Sequence, residues 1–107
     1  MRFDIVHCDD VPSFDIAPGI RAVRFPDGPD GVTVLQVTFS PGAEWPGVDR
    51  HPRTEIVLVQ EGELLDGTTA YPAGTYIYGH PGSEHRPASD KGCTVLAIYP
   101  DGLPAPV

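Results

Sequence analysis

The most informative parts of this sequence are two segments, DRHPRTEIVLVQEG at residues 49–62 and GTYIYGHPGSEHRPAS at residues 74–89. Each combines a polar part, rich in His, Pro, Asp or Glu, with a run of β-branched or aromatic residues that favours a strand. Between the two segments, the dipeptide Asp66-Gly67 favours positive φ and a tight hairpin. The middle of the chain is therefore predicted to form short antiparallel strands joined by turns.

The flanking sequence extends the same pattern. Strands are predicted at 20–25, at 32–39, which has so few polar positions that most of both its faces should be covered, and at 92–99, a last buried strand. No strand is assigned within residues 1–19, and the proline-rich tail 100–107 is expected to be ordered only if it docks. With 12 Gly and 13 Pro opposing long helices, the chain should be an all-β sandwich or barrel.

Size and charge limit the classes of function. The 107 residues leave room for a single domain, 1–107, and a net charge of -8 argues against nucleic acid or an anionic membrane as partner. Without an apolar run of about 18 residues or a signal pattern, we expect a cytoplasmic protein. There, Cys8 and Cys93 are expected to be two thiols, although terminal strands lying side by side would also permit a disulfide.

The histidines suggest a metal site. Three of the four, at positions 51, 80 and 85, lie beside a proline or in a Gly/Pro loop. Asp49, His51 and Glu55 share one parity, so they face the same side if the strand continues through Pro52. With His85 from a later loop, they could surround a divalent ion with nitrogen and oxygen donors. Solvated turn histidines along an exposed, charged edge fit the same residues equally well.

Residues 49–62 resemble the first motif of the cupins, G(X)5HXH(X)3,4E(X)6G. The spacing from His51 to Glu55 and on to Gly62 is that of the motif, with Asp49 in place of its leading His. Residues 74–89 resemble the second motif, G(X)5PXG(X)2H(X)3N. Its Gly and His positions are kept, whereas a histidine replaces the Pro and a serine the Asn; the positions concerned are Gly74, His80, Gly82, His85 and Ser89.

This resemblance implies a cupin-type antiparallel jelly-roll β-barrel, also called a double-stranded β-helix. By position it implies that one divalent metal, Fe2+ as first choice with Zn2+ or Mn2+ as alternatives, is held by Asp49, His51, Glu55 and His85. If the shorter Asp49 does not reach, the other three still form a site with room for water. The stretch YPAGTYIYGHPGSEH is also similar to the ChrR-type cupins, which include small-diketone dioxygenases and an anti-sigma-factor sensor domain.

The expected function is metal-dependent chemistry, with oxygen insertion first, on a small organic acid or carbonyl compound. A lyase or isomerase with His80 or Glu55 as base remains an alternative, as does a non-catalytic metal or small-ligand sensor. An anti-sigma factor with an added helical domain is disfavoured, because 107 residues leave no space for one. Arg53 and Tyr78 are candidate substrate-binding residues. Because a small barrel has open sheet edges, a homodimer is expected.

Overall fold

The computed structural model describes residues 2–103 and is built almost entirely of β-strands. A 3-10 turn at Cys8–Asp10 precedes eleven strands: β1 Ser13–Ala17, β2 Ile20–Arg24, β3 Thr33–Phe39, β4 Ala43–Glu44, β5 Asp49–Arg50, β6 Glu55–Asp66, β7 Thr69–Pro72, β8 Tyr76–Gly79, β9 Glu84–His85, β10 Pro87–Ser89 and β11 Cys93–Tyr99. The strands predicted at 20–25, 32–39 and 92–99 are present with small changes at their ends. β1 was missed, because its sequence SFDIA contains a single β-branched residue.

Nine strands form one antiparallel sheet in the order β1-β2-β3-β11-β6-β10-β4, with β7 and β8 also paired to β6. The sheet curls into a half-barrel, and β5 pairs with β9 as a separate two-stranded ladder. The predicted all-β, cupin-type fold is confirmed. Strand β6 is central to it, since it contacts β7, β8, β10 and β11 and carries Glu55 at its first position.

The apolar core lies on the concave side of the sheet. Along β3 and β11 every second residue is buried, as expected for strands that present one face to a core. The buried apolar residues are Ile20, Ala22, Leu35, Val37, Phe39, Val57, Val59, Leu64, Cys93, Val95, Ala97 and Tyr99. The alternate residues of the same strands face outward and are only partly covered within residues 2–103. The predicted cover on both faces of the strand at 32–39 is therefore found on one face only.

Strand β6 runs without a break from Glu55 to Asp66, past the end of the first motif at Gly62. Its register with β11 shifts between Thr94 and Val95, so that β6 bulges before Gly62. Gly62 has φ +72°, and a Cβ at this position would collide with the carbonyl oxygen of Gly92. Only glycine combines this conformation with this close approach. The last residue of the first motif therefore keeps β6 continuous past the site.

The remaining sequence predictions concern the hairpin, the cysteines and the tail. Strands β6 and β7 form the predicted hairpin, closed by the pair Asp66 and Thr69, with positive φ at Gly67. Cys8 and Cys93 are free thiols, and burial raises the pKa of the Cys93 thiol. Among the described residues, no helix has the length and apolar character needed to cross a bilayer. Residues 104–107 of the tail lie outside the described residues.

Candidate metal centre

The β5–β9 ladder joins the two motifs. Asp49 lies opposite His85 in this ladder, and Arg50 lies opposite Glu84. The backbone pairing continues past the strands, because the His51 amide donates to the carbonyl of Ser83 at 2.9 Å and the Gly82 amide donates to the carbonyl of His51 at 2.8 Å. A histidine that is 34 residues away in sequence is thus fixed beside the start of the first motif.

The shared parity of Asp49, His51 and Glu55 was conditional on a strand continuous through Pro52, and the structure does not meet this condition. The chain bends at residues 52–53, between β5 and β6, because Pro52 has no amide hydrogen to continue a ladder. Asp49 and His51 precede the bend, whereas Glu55 opens β6 after it. After the bend, the Glu55 side chain points back towards His51, so Asp49 and Glu55 both lie beside His51. The bend brings them together, rather than the alternation of a single strand.

Two carboxylates, Asp49 and Glu55, approach the same pair of imidazoles, His51 and His85. The Nε2 atoms of His51 and His85 are 2.7 Å apart. Asp49 Oδ2 lies 3.2 Å from His51 Nε2 and 3.4 Å from His85 Nε2. Glu55 Oε1 is close to the same two nitrogens, at 3.2 Å from His51 Nε2 and 3.6 Å from His85 Nε2. All four side chains are at least two-thirds shielded from solvent, and Glu55 is the most buried of them.

The donor set fits a divalent ion. Nitrogen and oxygen ligands bound to one ion at about 2.0 to 2.2 Å lie about 3 to 4 Å from each other, and each of the two carboxylate oxygens is 3.2 to 3.6 Å from both imidazole nitrogens. The ligand atoms of Asp49, His51 and His85 are within 4.8 Å of one another, and Glu55 adds a fourth donor beside both imidazoles. Two imidazoles with two carboxylates suit iron(II), manganese(II) or zinc better than soft copper(I).

The carboxylates and imidazoles of the cluster shift the pKa values of Asp49 and His51 in opposite directions, and each shift favours the charged form. Burial alone would raise the pKa of Asp49, but hydrogen bonds from His51 and His85 outweigh it and hold that pKa well below its usual range. Burial would likewise lower the pKa of His51, yet the hydrogen bond to Asp49 and the charges of Glu55 and Asp49 raise it. In the metal-free protein, the Asp49 carboxylate therefore stays ionised and His51 tends to hold a proton, which a metal ion would displace.

Tyr99 is a site residue that the sequence analysis did not identify. Its hydroxyl donates to Glu55 Oε2 at 2.5 Å, and both residues are buried. Burial and the Glu55 carboxylate raise the pKa of Tyr99, so it remains a neutral donor. Because one carboxylate oxygen is held by Tyr99, the other is directed at the two imidazoles. The alternation along β11 places Tyr99 inward with Val95 and Ala97, but the sequence alone does not show that Glu55 faces it.

A cavity of about 280 Å3 lies against the cluster. Its walls are mostly apolar and come from the inner faces of β2, β3, β6 and β11, with Trp45 and Leu103 also contributing. Asp49, His51, Glu55 and His85 all line it, so the ligand set forms the polar part of an otherwise apolar space. Such a combination, with few convergent polar groups, is typical of a small-molecule site.

A second cavity, of about 180 Å3, shares His51, Glu55 and His85 with the first. Tyr78, Tyr71 and Asp66 are among its other lining residues, so this space is more polar. Tyr78, a candidate substrate-binding residue, thus lines the same cavity as His51, Glu55 and His85. Asp49 lines the larger cavity alone, whereas the other three candidate ligands line both cavities.

The other candidate residues lie farther from the cluster. Arg53 lines the larger cavity but is exposed, and its Nη1 donates to the carbonyls of Asp101 at 2.9 Å and Leu103 at 3.3 Å. His80 is exposed, lines neither cavity and packs against Tyr78, with ring centroids 4.8 Å apart. The structure therefore does not bring the proposed base His80 to the ligands.

Comparison with known proteins identifies the family. The model of the ChrR cupin-like domain family matches residues 1–99, and the chain belongs to this family. No curated protein matches the chain. Its fold is shared by the polyketide cyclase RemF from Streptomyces resistomycificus, at 22% identity with a TM-score of 0.80, covering 97% of this chain and 83% of that one.

Two further solved structures are similar. A putative acetylacetone dioxygenase from Methylibium petroleiphilum PM1 has 17% identity and a TM-score of 0.77, with coverage of 100% of this chain and 88% of that chain. A chain of Rhodobacter sphaeroides SigE in complex with the anti-sigma ChrR has 24% identity and a TM-score of 0.75, with coverage of 87% and 51% respectively. At these identities the similarity shows the fold alone.

Proposed function

We propose that this protein is a metal-dependent cupin enzyme that acts on a small organic acid or carbonyl compound, with insertion of oxygen as the reaction. The observation that carries the proposal is that two carboxylate oxygens lie 3.2 to 3.6 Å from each of two imidazole nitrogens, which are themselves 2.7 Å apart, against an apolar cavity. Asp49, His51, Glu55 and His85 would hold the ion, with Fe2+ as first choice and Zn2+ or Mn2+ as alternatives. Its chemistry would be Lewis-acid polarisation of a chelating substrate and, for iron, activation of oxygen.

The protein's own residues would prepare the site in three ways. His51 and His85 are fixed by the β5–β9 ladder and its backbone hydrogen bonds, so their Nε2 atoms are aligned before metal binds. Tyr99 holds one oxygen of Glu55 and leaves the other for the ion. The mostly apolar walls of the larger cavity would lower the local dielectric constant, which would strengthen the electrostatic interactions of a bound substrate.

The larger cavity also indicates what the substrate should look like. Its volume of about 280 Å3 suits a compound of modest size, and its apolar lining favours a hydrocarbon body with its oxygen atoms at one end. Arg53 lines this cavity and is proposed to meet a substrate carboxylate, for which it would exchange its bonds to the carbonyls of Asp101 and Leu103. Tyr78 is proposed to contact substrate from the smaller cavity.

Proton transfer is proposed for Glu55, which touches both the ligand cluster and the two cavities. His80 was the other candidate base. From its exposed position against Tyr78 it reaches neither cavity, so a base role for His80 requires the loop that carries it to move. A cytoplasmic location, expected from the sequence, is part of the same proposal.

Oxygen uptake tests this function. Protein loaded with Fe2+ is incubated with a panel of diketones, keto acids and hydroxy acids, and oxygen consumption is recorded alongside product mass. We expect consumption with at least one compound, and none with Glu55→Ala at the same total iron. The matched control is Glu84→Ala, which removes a carboxylate that is bonded to Arg50 rather than to the imidazoles. No uptake with any compound would reject oxygen insertion, whereas turnover without uptake would support a lyase or isomerase.

A second candidate function is a non-catalytic sensor of metal or of a small ligand. The match to the ChrR cupin-like family supports it, as does the similarity to a structure that contains an anti-sigma factor with its sigma factor. A sensor would bind metal or ligand at the same cluster without turnover and would change its stability or partners on binding. Metal-dependent thermal stabilisation with no product from any panel compound would favour the sensor.

A further inference from the structure

The larger cavity meets solvent along a rim that includes three large apolar side chains. Most of the apolar residues that line this cavity are buried, whereas Ile16, Trp45 and Leu103 are partly exposed and pack against the core. Ile16 belongs to β1, and the Trp45 amide donates to the carbonyl of Pro87 at 2.8 Å, so backbone pairing fixes both residues. Leu103 follows β11 and is held in a different way.

The segment that carries Leu103, residues 100–103, turns back directly after β11, and we call it the strap. The Gly102 amide donates to the carbonyl of the site residue Tyr99 at 3.0 Å, which closes the turn. Gly102 has φ +79°, and a Cβ at this position would lie 3.2 Å from the carbonyl oxygen of Gly31. Glycine suits the turn because any other residue would be strained by this φ and crowded by this approach. The turn returns the chain to the core, where the Leu103 side chain packs.

Arg53 holds the strap in place. Its Nη1 atom donates to the carbonyl of Asp101 at 2.9 Å and to that of Leu103 at 3.3 Å. Hydrogen bonds from a charged donor are stronger than those between neutral groups. Arg53 belongs to the bend between His51 and Glu55, and it also lines the larger cavity. The segment that carries the candidate ligands is therefore bonded to the strap at the rim of the cavity.

We propose that Leu103 determines how long a substrate the larger cavity accepts, and that Arg53 is the residue that positions Leu103. The inference rests on the proposed function, because it describes the substrate of the same site. A substrate whose oxygen atoms are held at the ligand cluster has to place its apolar body among the apolar walls. A body too long for these walls meets Leu103 at the rim. A carboxylate that engaged Arg53, as proposed above, would loosen the strap, so neutral probes are needed for the test.

The length limit is tested with straight-chain primary alcohols from butanol to octanol, which can enter an apolar cavity without a metal ion. Binding to the full chain, freed of metal by chelation, is followed through the methyl NMR signals of Val37, Val57 and Val95 on the cavity wall. In the parent, affinity should rise about fourfold with each added methylene, as burial of that group predicts. It should then fall at the first alcohol that is too long for the cavity.

Leu103→Ala removes part of the rim, so this fall should move to an alcohol about one to three carbons longer. Shorter alcohols should bind no better than they bind to the parent. Leu103→Met keeps a side chain of similar volume and should keep the limit of the parent. The matched control is Leu58→Ala, which makes the same deletion at an exposed position of β6 that lines neither cavity, and it should not move the limit.

The role of Arg53 is tested with two variants that leave Leu103 unchanged. Arg53→Gln removes the charged donor, and Gly102→Ala strains the turn, so both should move the limit as Leu103→Ala does. Both should also speed hydrogen exchange at the amide of residue 102, because the strap opens more often. Leu103→Ala should leave the bonds from Arg53 intact and change this exchange less. Circular dichroism shows whether each variant is folded.

An unchanged limit in folded Leu103→Ala would overturn the proposal, and so would an equal shift in Leu58→Ala. If no alcohol binds to the parent, the cavity does not accept apolar chains, and the proposal is overturned as well. A shift in Leu103→Ala without one in Arg53→Gln would reject the positioning role of Arg53. Titration of the parent with Zn2+ is recorded separately, so a protein that binds no metal but shows the length limit would reject the proposed function and retain the role of Leu103.

Discussion

Within residues 2–103, two groups of residues could hold a metal ion by proximity alone, and they are built very differently. Asp49, His51 and His85 come from β5, the turn after it and β9, and are half-buried. His7, Cys8 and Asp9 are consecutive in sequence, and His7 and Asp9 are exposed. Both groups bring three ligand atoms together, so closeness of donors does not by itself distinguish them.

The difference lies in what surrounds the donors. The first group has Glu55 as a fourth donor, Tyr99 behind that donor and an apolar cavity in front of it. In the second, the His7 side chain accepts a hydrogen bond from the Asp9 amide, so that nitrogen already serves the local turn. A metal centre needs ligands whose positions are fixed by second partners and by packing, and the first group alone has them. The predictions below test this contrast.

The largest effect is expected when an imidazole of the cluster is removed. His51→Ala and His85→Ala should each weaken metal binding by at least about 100-fold, since losing even an outer partner of a metal site typically costs about 10- to 100-fold. His7→Ala is the matched control and should bind metal as the parent does. Isothermal titration with Zn2+ or anaerobic Fe2+ measures all three. If His7→Ala lost as much metal affinity as His51→Ala, the two groups would not differ in metal binding and the prediction would be wrong.

A second series of variants tests whether Asp49 is a ligand like Glu55. Asp49 is the position that departs from the usual cupin pattern, and its distances of 3.2 and 3.4 Å to the imidazoles predict that it ligates. Asp49→Ala and the isosteric Asp49→Asn should therefore both weaken metal binding, whereas Asp49→His should keep it and change turnover and metal preference. If Asp49→Ala binds metal like the parent while Glu55→Ala does not, Asp49 is a bystander.

A smaller effect is expected from the partner of Glu55. Tyr99→Phe removes only the hydroxyl and leaves Glu55 Oε2 buried without its donor, so metal affinity should fall about 10- to 100-fold. The metal-free protein should lose about 1 to 3 kcal/mol of stability for the same reason. Tyr76→Phe, which deletes an exposed hydroxyl, should change neither quantity. Unchanged affinity in Tyr99→Phe would show that Tyr99 only packs against the site.

The contrast also shows which parts of the site the sequence can predict. Motif spacing made His51, Glu55 and His85 candidate ligands, and the structure brings these three side chains together. The bend at Pro52 was not predicted, since parity assumes a continuous strand and a proline only permits a break. Tyr99 was missed for a similar reason: its pairing depends on the register between β11 and β6, which is set by the bulge before Gly62. Strand β1 was missed because its residues have little strand propensity, and pairing with β2 stabilises it.

The smallest effect concerns pH. The pKa of His51 is raised in the folded, metal-free protein, so its charge stabilises the fold below about pH 6.5 and that contribution is lost as pH rises through the raised value. The pKa of Asp49 is lowered, so its contribution is present above about pH 4 and is lost as pH falls through the lower value. Metal binding should become stronger as pH rises, because the His51 imidazole must lose its proton before it can ligate.

The increase in Tm caused by Zn2+ should accordingly grow between about pH 6 and 8. Thermal melts with and without Zn2+ across this range measure it, and His51→Gln should flatten the dependence. An increase in Tm that is independent of pH in the parent would show that His51 does not exchange a proton for the metal.

The central claim is that Asp49, His51, Glu55 and His85 form a metal centre, and the most direct test is the metal content of protein purified without added metal. Elemental analysis should find one divalent ion per chain, with iron first, in the parent and in His7→Ala. It should find almost none in the double variant His51→Ala and His85→Ala. A parent that holds no metal and behaves identically when metal is supplied, or a double variant that retains one ion per chain, would contradict the claim.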